Sequence, residues 1–121
     1  MVTLETPIEE LVERYTKDIL YDCHSVEARI DRSPARVCLQ LKGKEALDYI
    51  AKEMESLFSS GEIDYDLFMA YVRLICGIIE EHNLPEAPYL PNVKYGNQNP
   101  LIWINYCKAN GCLINPPTMI C

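Results

Sequence analysis

A run of apolar residues between Asp64 and Asn83 constrains the fold of this chain more than any other feature. When its residues are placed at about 100° per step around a helix, the polar side chains form only a narrow strip that contains Arg73 and Glu80. The apolar positions cover the adjoining faces and are Leu67, Phe68, Tyr71, Val72, Leu74, Ile75, Cys76, Ile78 and Ile79. A helix that is apolar over most of its circumference is expected at the centre of a bundle, where other helices cover it.

Two further segments each show a single apolar stripe. In the first, Thr6 is the expected N-cap, Pro7 takes the first helical position and Glu9 completes a capping box. Its stripe extends to about residue 23 and consists of Ile8, Leu11, Val12, Tyr15, Ile19 and Cys23. The second stripe ends at Ser59-Ser60-Gly61 and consists of Leu47, Ile50, Ala51, Met54, Leu57 and Phe58. Both segments predict amphipathic helices that pack on a core.

The segment between these two helices is less regular. Residues 27–32 either continue the first helix or form a separate turn, after which Ser33 and Pro34 are typical of a helix start. A short element then runs to about Leu41 and is stopped by Gly43. Its apolar residues alternate as well as they spiral, so we predict a helix, and a strand stays open as the alternative.

The composition changes at residue 83, because all seven asparagines and six of the eight prolines lie from that residue onward. Prolines at this spacing exclude long helices, so residues 84–98 are predicted to form an irregular connection. Pro100 then begins a short helix, with a strand over residues 101–107 as the alternative. Residues 112–121 are predicted to be a tail.

These segments predict an all-α, predominantly helical chain that forms a small orthogonal or up-down bundle of four to five helices. We expect residues 1–121 to form one domain, with an acidic helical body over residues 1–83 and an irregular Pro/Asn-rich C-terminal segment after it. A chain of 121 residues buries roughly two-thirds of the surface that its unfolded form exposes, which suffices for one core but not for two.

Charge is concentrated in the helical body. The formal net charge is −7, and residues 1–83 carry all but one of the 18 acidic residues and all but two of the 11 basic ones. An acidic surface repels phosphate backbones, so general nucleic-acid binding is disfavoured and a basic partner is favoured. The N-terminus lacks the pattern of a secretory signal, and no apolar run approaches the roughly 20 residues of a membrane span. We therefore expect a cytoplasmic protein that does not associate with membranes.

No catalytic motif is present in the sequence. It contains no P-loop, dinucleotide-binding glycine motif, zinc-protease motif or nucleophile elbow, so we expect a protein that is not an enzyme and needs no cofactor. The nearest approach to a metal site is the set Cys107, Cys112 and Cys121, but a structural zinc ion takes four ligands, usually from close pairs. The six cysteines are therefore expected to be reduced thiols without a metal.

Aromatic residues mark a first candidate surface for a partner. They lie among prolines and asparagines with almost no charge and are Tyr89, Tyr95, Trp103 and Tyr106. Aromatic side chains on irregular backbone supply a large contact area at a small cost in side-chain entropy, which is typical of recognition surfaces. The alternative is that they fasten an irregular connection onto the helical body.

Two charged groups mark the other candidate surfaces. Acidic residues before and at the start of the central helix form a candidate surface for a basic partner and are Glu62, Asp64 and Asp66. A basic island in the otherwise acidic chain is a candidate anion-binding site and includes Arg29, Arg32 and Arg36. The alternative for the island is that it pairs with the acidic residues of the chain itself.

Two resemblances bear on function. Residues 43–50, Gly-Lys-Glu-Ala-Leu-Asp-Tyr-Ile, resemble the second helix of a HEAT-like repeat, although no second copy occurs at the period of about 40 residues that such arrays require. The composition, that of a short acidic helical protein with no catalytic motif, is similar to that of bacterial toxin-neutralising immunity proteins.

We therefore expect a non-enzymatic protein that acts by binding another protein, as a specific inhibitor or an immunity-like adaptor. Two alternatives stay open. One is a structural or regulatory subunit that forms a homodimer, and the other is a metal or thiol-redox module that uses the C-terminal cysteines.

Overall fold

A computed structural model of the chain describes residues 2–21, 25–59, 64–85 and 100–111. These residues form six α-helices and no strand, so the predicted all-α class is confirmed. The helices are α1 (Ile8–Tyr21), α2 (Val26–Arg32), α3 (Pro34–Lys42), α4 (Lys44–Phe58), α5 (Tyr65–His82) and α6 (Pro100–Asn110). The buried apolar residues of the described part form one core cluster to which all six helices contribute.

Helix α5 occupies the centre of the bundle, as its apolar circumference predicts. It begins after Asp64, whose carboxylate accepts a hydrogen bond of 3.1 Å from the backbone N–H of Leu67, and ends at Asn83 in the left-handed conformation. It packs against each of the other five helices. Arg73 and Glu80, the predicted polar strip, are both exposed. Polar side chains therefore remain only where no other helix covers α5.

Helices α1 and α4 match the two predicted amphipathic segments, with one difference at the start of α1. The Thr6 hydroxyl accepts a hydrogen bond of 2.9 Å from the N–H of Thr3, and so it closes a turn before the helix. The first helical hydrogen bond runs instead from the N–H of Leu11 to the carbonyl of Pro7. The helix thus begins at Ile8, one residue later than the expected first position.

The irregular segment forms two short helices joined at Ser33. Ser33 ends α2 through a backbone hydrogen bond to the carbonyl of Ile30 and is also the N-cap residue of α3. The chain turns here because Pro34 has no N–H and cannot continue α2. Residues 37–41 and 101–107 are helical, so the strand alternatives for both segments are wrong. The separate α2 also explains why there are six helices where four to five were predicted.

Helix α6 lies chiefly on α4. The Lys108 ammonium is 2.7 Å from the Glu55 carboxylate of α4, and the Tyr106 hydroxyl donates a hydrogen bond to the carbonyl of Pro85, just beyond α5. These contacts attach the end of the described chain to the helical body. The predicted irregular connection and tail fall mostly outside the described residues.

Three glycines lie where the side chain of another element approaches the backbone. A Cβ atom at Gly43 would be 2.8 Å from Nε2 of His82, and one at Gly111 would be 2.5 Å from the carboxylate of Asp48. In the middle of α5, a Cβ atom at Gly77 would collide with the Gln40 amide of α3. Gly43 also has a φ of 66°, a conformation that glycine adopts without strain and that here ends α3.

None of the described helices has the length and apolar character needed to cross a membrane.

Candidate functional site

Two of the four residues of the predicted aromatic surface, Trp103 and Tyr106, are among the described residues. Trp103 has no exposed surface, and 9% of Tyr106 is exposed. Both side chains are buried in the core cluster from α6, and their role in partner binding stays a prediction. Tyr89 and Tyr95 lie outside the described residues, and their role in partner binding stays a prediction.

Two residues of the predicted acidic surface, Asp64 and Asp66, are exposed at the start of α5. Asp64 caps the helix with its carboxylate, which gives it a structural role. Asp66 is exposed in the first turn, where a negative charge is favoured by the helix dipole. Glu62 lies outside the described residues. The role of these three residues in partner binding stays a prediction.

The three arginines of the predicted basic island do not all lie together. Arg29 and Arg32 line a cleft of about 360 Å³ that is formed by the end of α1, by α2 and by the start of α3. Arg36 does not line this cleft, because its guanidinium donates to the carbonyl of Ile30 at 2.9 Å and to the side chain of Gln40. Lys17 of α1 also lines the cleft. We call it the basic cleft, and the residues that line it are Lys17, Asp18, Tyr21, Arg29, Arg32, Ser33 and Pro34.

A second cleft, of about 430 Å³, lies between α1 and α4. We call it the acidic cleft, and the residues that line it are Glu9, Val12, Glu13, Tyr49, Lys52 and Glu53. Among the described lining residues there are three carboxylates and one ammonium group, and the Glu13 carboxylate also pairs with Lys17 at 3.1 Å. The Lys52 ammonium lies 5.7 Å from the centre of the Tyr49 ring, within the range of a cation–π interaction. Sequence reasoning missed this cleft because its residues come from two helices that are far apart in the chain.

The inner wall of the acidic cleft is held by a buried polar network. The Thr16 hydroxyl is 3.0 Å from the Glu53 carboxylate and 3.1 Å from the carbonyl of Val12, and it also contacts the Tyr71 hydroxyl. Thr16 has one hydroxyl hydrogen and therefore donates in only one of these contacts, and in its contact with Tyr71 either hydroxyl can be the donor. The Glu53 carboxylate thus meets a buried hydroxyl group at the inner side of the cleft.

Two buried tyrosines connect this network to α5. The rings of Tyr15 and Tyr71 meet edge to face with 5.4 Å between their centres, and the Tyr15 hydroxyl donates to the carbonyl of Ala70 at 2.6 Å. Burial raises the pKa of both phenols well above the ordinary value, and for Tyr71 the hydrogen bond with Thr16 opposes this shift. Both phenols are therefore neutral at physiological pH and act as structural hydrogen-bonding groups.

The described cysteines are free thiols and do not form a metal site. Cys38 and Cys107 are buried and Cys76 is half-buried. Burial raises the pKa of Cys107 strongly and that of Cys76 to about 11, so neither is a reactive thiolate at neutral pH. No three potential metal ligands lie together in the described part of the chain. Cys112 and Cys121 lie outside it, so the absence of a metal at the C-terminal cysteines stays a prediction.

Comparison with known proteins returns no family model, no curated protein and no solved structure that matches this chain. The resemblances to a HEAT-like helix and to immunity proteins therefore stay predictions. The two clefts of opposite charge are the features of the described residues from which a function can be argued.

Proposed function

We propose that the protein acts by binding another protein and not by catalysis, and that the acidic cleft receives a lysine-rich or arginine-rich segment of its partner. The observation that carries this proposal is the excess of carboxylates over ammonium groups among the described residues that line a cleft of about 430 Å³. A specific inhibitor or adaptor of a basic protein fits this description.

The proposal is supported by charge at two scales. The net charge of −7 attracts a basic partner over distances of about 10 Å at ordinary salt concentrations. Within the cleft, Glu9 and Glu13 are exposed. Glu13 pairs with Lys17 at 3.1 Å, but an exposed pair contributes little, so a partner's cation can compete for this carboxylate. The Tyr49 ring already receives one cationic side chain, that of Lys52, and so provides an internal example of the contact that a partner's lysine would make.

A fluorescein-labelled oligolysine peptide tests the proposal by fluorescence anisotropy. We expect the peptide to bind, and the double variant Glu9→Gln with Glu13→Gln to weaken binding by about fivefold or more, because two carboxylates of the cleft lose their charge. The matched control, Glu27→Gln with Glu81→Gln, removes the same charge from exposed positions outside the cleft.

The control separates a site from a general charge effect. The cleft is supported if the control variant binds nearly as well as the unmodified protein and if raised salt weakens binding to the latter. Equal weakening by both double variants, or binding that salt does not change, would contradict a site in the acidic cleft.

A homodimer is the second candidate function, and one specific observation favours it. Val37 and Leu41 lie one turn apart on α3 and are 46% and 48% exposed. Paired apolar side chains on one face of a helix are a typical element of an interface between subunits. Sedimentation of the full chain tests this candidate: a dimer that becomes monomeric in Leu41→Glu would favour it, and a monomer at high protein concentration would exclude it.

A further inference from the structure

One carboxylate of the acidic cleft contacts a buried hydroxyl group. Glu53 of α4 lines the cleft, and its Oε2 atom is 3.0 Å from the hydroxyl of Thr16, a residue of α1 that is only 7% exposed. We propose that Thr16 is a positioning residue for partner binding, because its hydroxyl donates to Glu53 and orders that carboxylate for a cation of the partner. This inference rests on the proposed function of the acidic cleft.

The hydrogen-bond requirements of the neighbouring groups determine where the Thr16 hydrogen points. An ionised carboxylate only accepts, so the contact with Glu53 is a hydrogen bond when Thr16 donates. The Val12 carbonyl, 3.1 Å from the Thr16 hydroxyl, already accepts the backbone N–H of Thr16 within α1. Thr16 in turn accepts from Tyr71, whose other acceptor, the Val12 carbonyl, is 3.5 Å away and beyond the usual range for a hydroxyl donor. A chain from Tyr71 through Thr16 to Glu53 therefore uses both hydroxyl hydrogens.

Glu53 differs in this respect from Glu9 and Glu13, the other carboxylates among the described residues of the cleft. Both are exposed side chains of α1, and a partner that binds them has to immobilise them, which costs binding free energy. Glu53 is half-buried and already bound to Thr16, so less of this cost remains. A carboxylate has about four acceptor positions, and the bond to Thr16 leaves others for a lysine or an arginine.

Fluorescence anisotropy of the full chain with the fluorescein-labelled oligolysine peptide tests the inference. Thr16→Val removes the hydroxyl while it keeps the shape and the charge, and it should weaken binding about threefold or more because Glu53 is no longer ordered. Thr16→Ser keeps the hydroxyl and should bind like the unmodified protein. In Thr16→Val the Tyr71 hydroxyl retains the Val12 carbonyl as an acceptor, so we expect this variant to fold.

Tyr15→Phe is the matched control for the loss of a buried hydroxyl. The Tyr15 hydroxyl donates to the carbonyl of Ala70, and Tyr15 is not among the residues that line the cleft. This control should lower the melting temperature and leave the affinity unchanged. If the melting curve shows that Thr16→Val does not fold, Glu53→Asp takes its place, because it keeps the charge and withdraws the carboxylate from Thr16 by one CH2 group.

Combining Thr16→Val with Glu53→Gln separates positioning from a general effect on the fold. If Thr16 acts through Glu53, then Glu53→Gln alone weakens binding and the added Thr16→Val weakens it no further. Equal additional weakening by Thr16→Val in both backgrounds would overturn the positioning role. Unchanged affinity in Thr16→Val would also overturn it, and the proposed function would still stand if the double variant of Glu9 and Glu13 weakens binding. No binding of the peptide to the unmodified protein would overturn the proposed function and this inference together.

Discussion

Helices α5 and α6 are both rich in apolar residues, yet they occupy different places in the bundle. Helix α5 packs against all five other helices, and its exposed side chains form a narrow strip. Helix α6 lies chiefly on α4, so that Leu101 and Ile102 are 55% and 44% exposed while Trp103 and Ile104 are buried. The number of apolar residues thus indicates how much surface a helix buries. The distribution of these residues around the helix axis indicates how many of its faces are covered by other helices.

The pH dependence of stability is the largest effect expected, because α5 and α6 both bury ionisable groups in their neutral form. Tyr71 of α5, Tyr15 beside it and Cys107 of α6 have a pKa raised by burial above ordinary values near 10 and 9. Their contribution is fully present below pH 9. It is lost as pH rises further, because the unfolded chain releases these protons first. Each group then costs up to about 1.4 kcal/mol per pH unit.

Circular dichroism across a pH series should therefore show stability that changes little from pH 7 to 8.5 and cooperative unfolding by about pH 11. In Cys107→Ala, the fall in stability between pH 9 and 10 should be shallower, since one proton fewer is released. An unchanged slope in that variant would mean that α6 does not bury Cys107 as described.

Trp103→Ala should cost about 3–5 kcal/mol of unfolding free energy, since it removes the largest fully buried side chain. Denaturant unfolding followed by circular dichroism measures this change. A loss under about 0.5 kcal/mol would show that Trp103 is not buried and that this face of α6 does not pack on the core.

Leu74→Ala should cost about 2–5 kcal/mol, because α5 is enclosed and its neighbours cannot fill the cavity fully. The same unfolding experiment applies. If the cost were much smaller than that of Ile104→Ala in α6, the helix at the centre of the bundle would have to be reassigned.

Tyr71→Phe should cost about 1–3 kcal/mol, because it removes the hydroxyl that contacts Thr16 inside the bundle. Tyr49→Phe is the matched control, since Tyr49 is half-buried at the acidic cleft and its ring remains. Equal and small effects of the two substitutions on the melting temperature would show that the buried network contributes nothing specific to α5.

Ile102→Ala should have the smallest effect, under about 1 kcal/mol, because its side chain is already 44% exposed. Ile104→Ala, two residues along the same helix, changes the same atoms at a site that is 5% exposed and should cost about 2 kcal/mol or more. Comparable losses at both positions would mean that another part of the protein covers the outer face of α6.

Local patterns predict most of this fold. The apolar circumference of α5, its limits at Asp64 and Asn83, and the stops at Ser33 and Gly43 all follow from the sequence. The orientation of α6 does not follow as directly, because Leu101 to Ile104 is a continuous apolar run with no polar residue to mark its outer face. The spacing of Trp103, Cys107 and Gly111 at one-turn intervals is the signal that identifies its inner face.

The candidate sites are less predictable because they depend on tertiary placement. Arg29 and Arg32 are recognisable as part of a basic island, but Lys17 lies beside them only because α2 packs against α1. Arg36 does not line the basic cleft, because its guanidinium is bound to Gln40 one turn along α3. Charged residues that are close together in the sequence therefore predict part of the basic cleft, and they do not predict the acidic cleft.

The glycines of the bundle limit how the protein can be engineered. Helix propensity recommends alanine at Gly77, where the exchange ordinarily gains about 1 kcal/mol. Here the new methyl group would displace the Gln40 side chain, which also receives the Arg36 guanidinium. At Gly43 it would meet the His82 ring, whose Nε2 is 2.7 Å from the carbonyl of Gln40. A thermostabilised variant should therefore leave Gly43, Gly77 and Gly111 unchanged and seek its gains on exposed helical positions elsewhere.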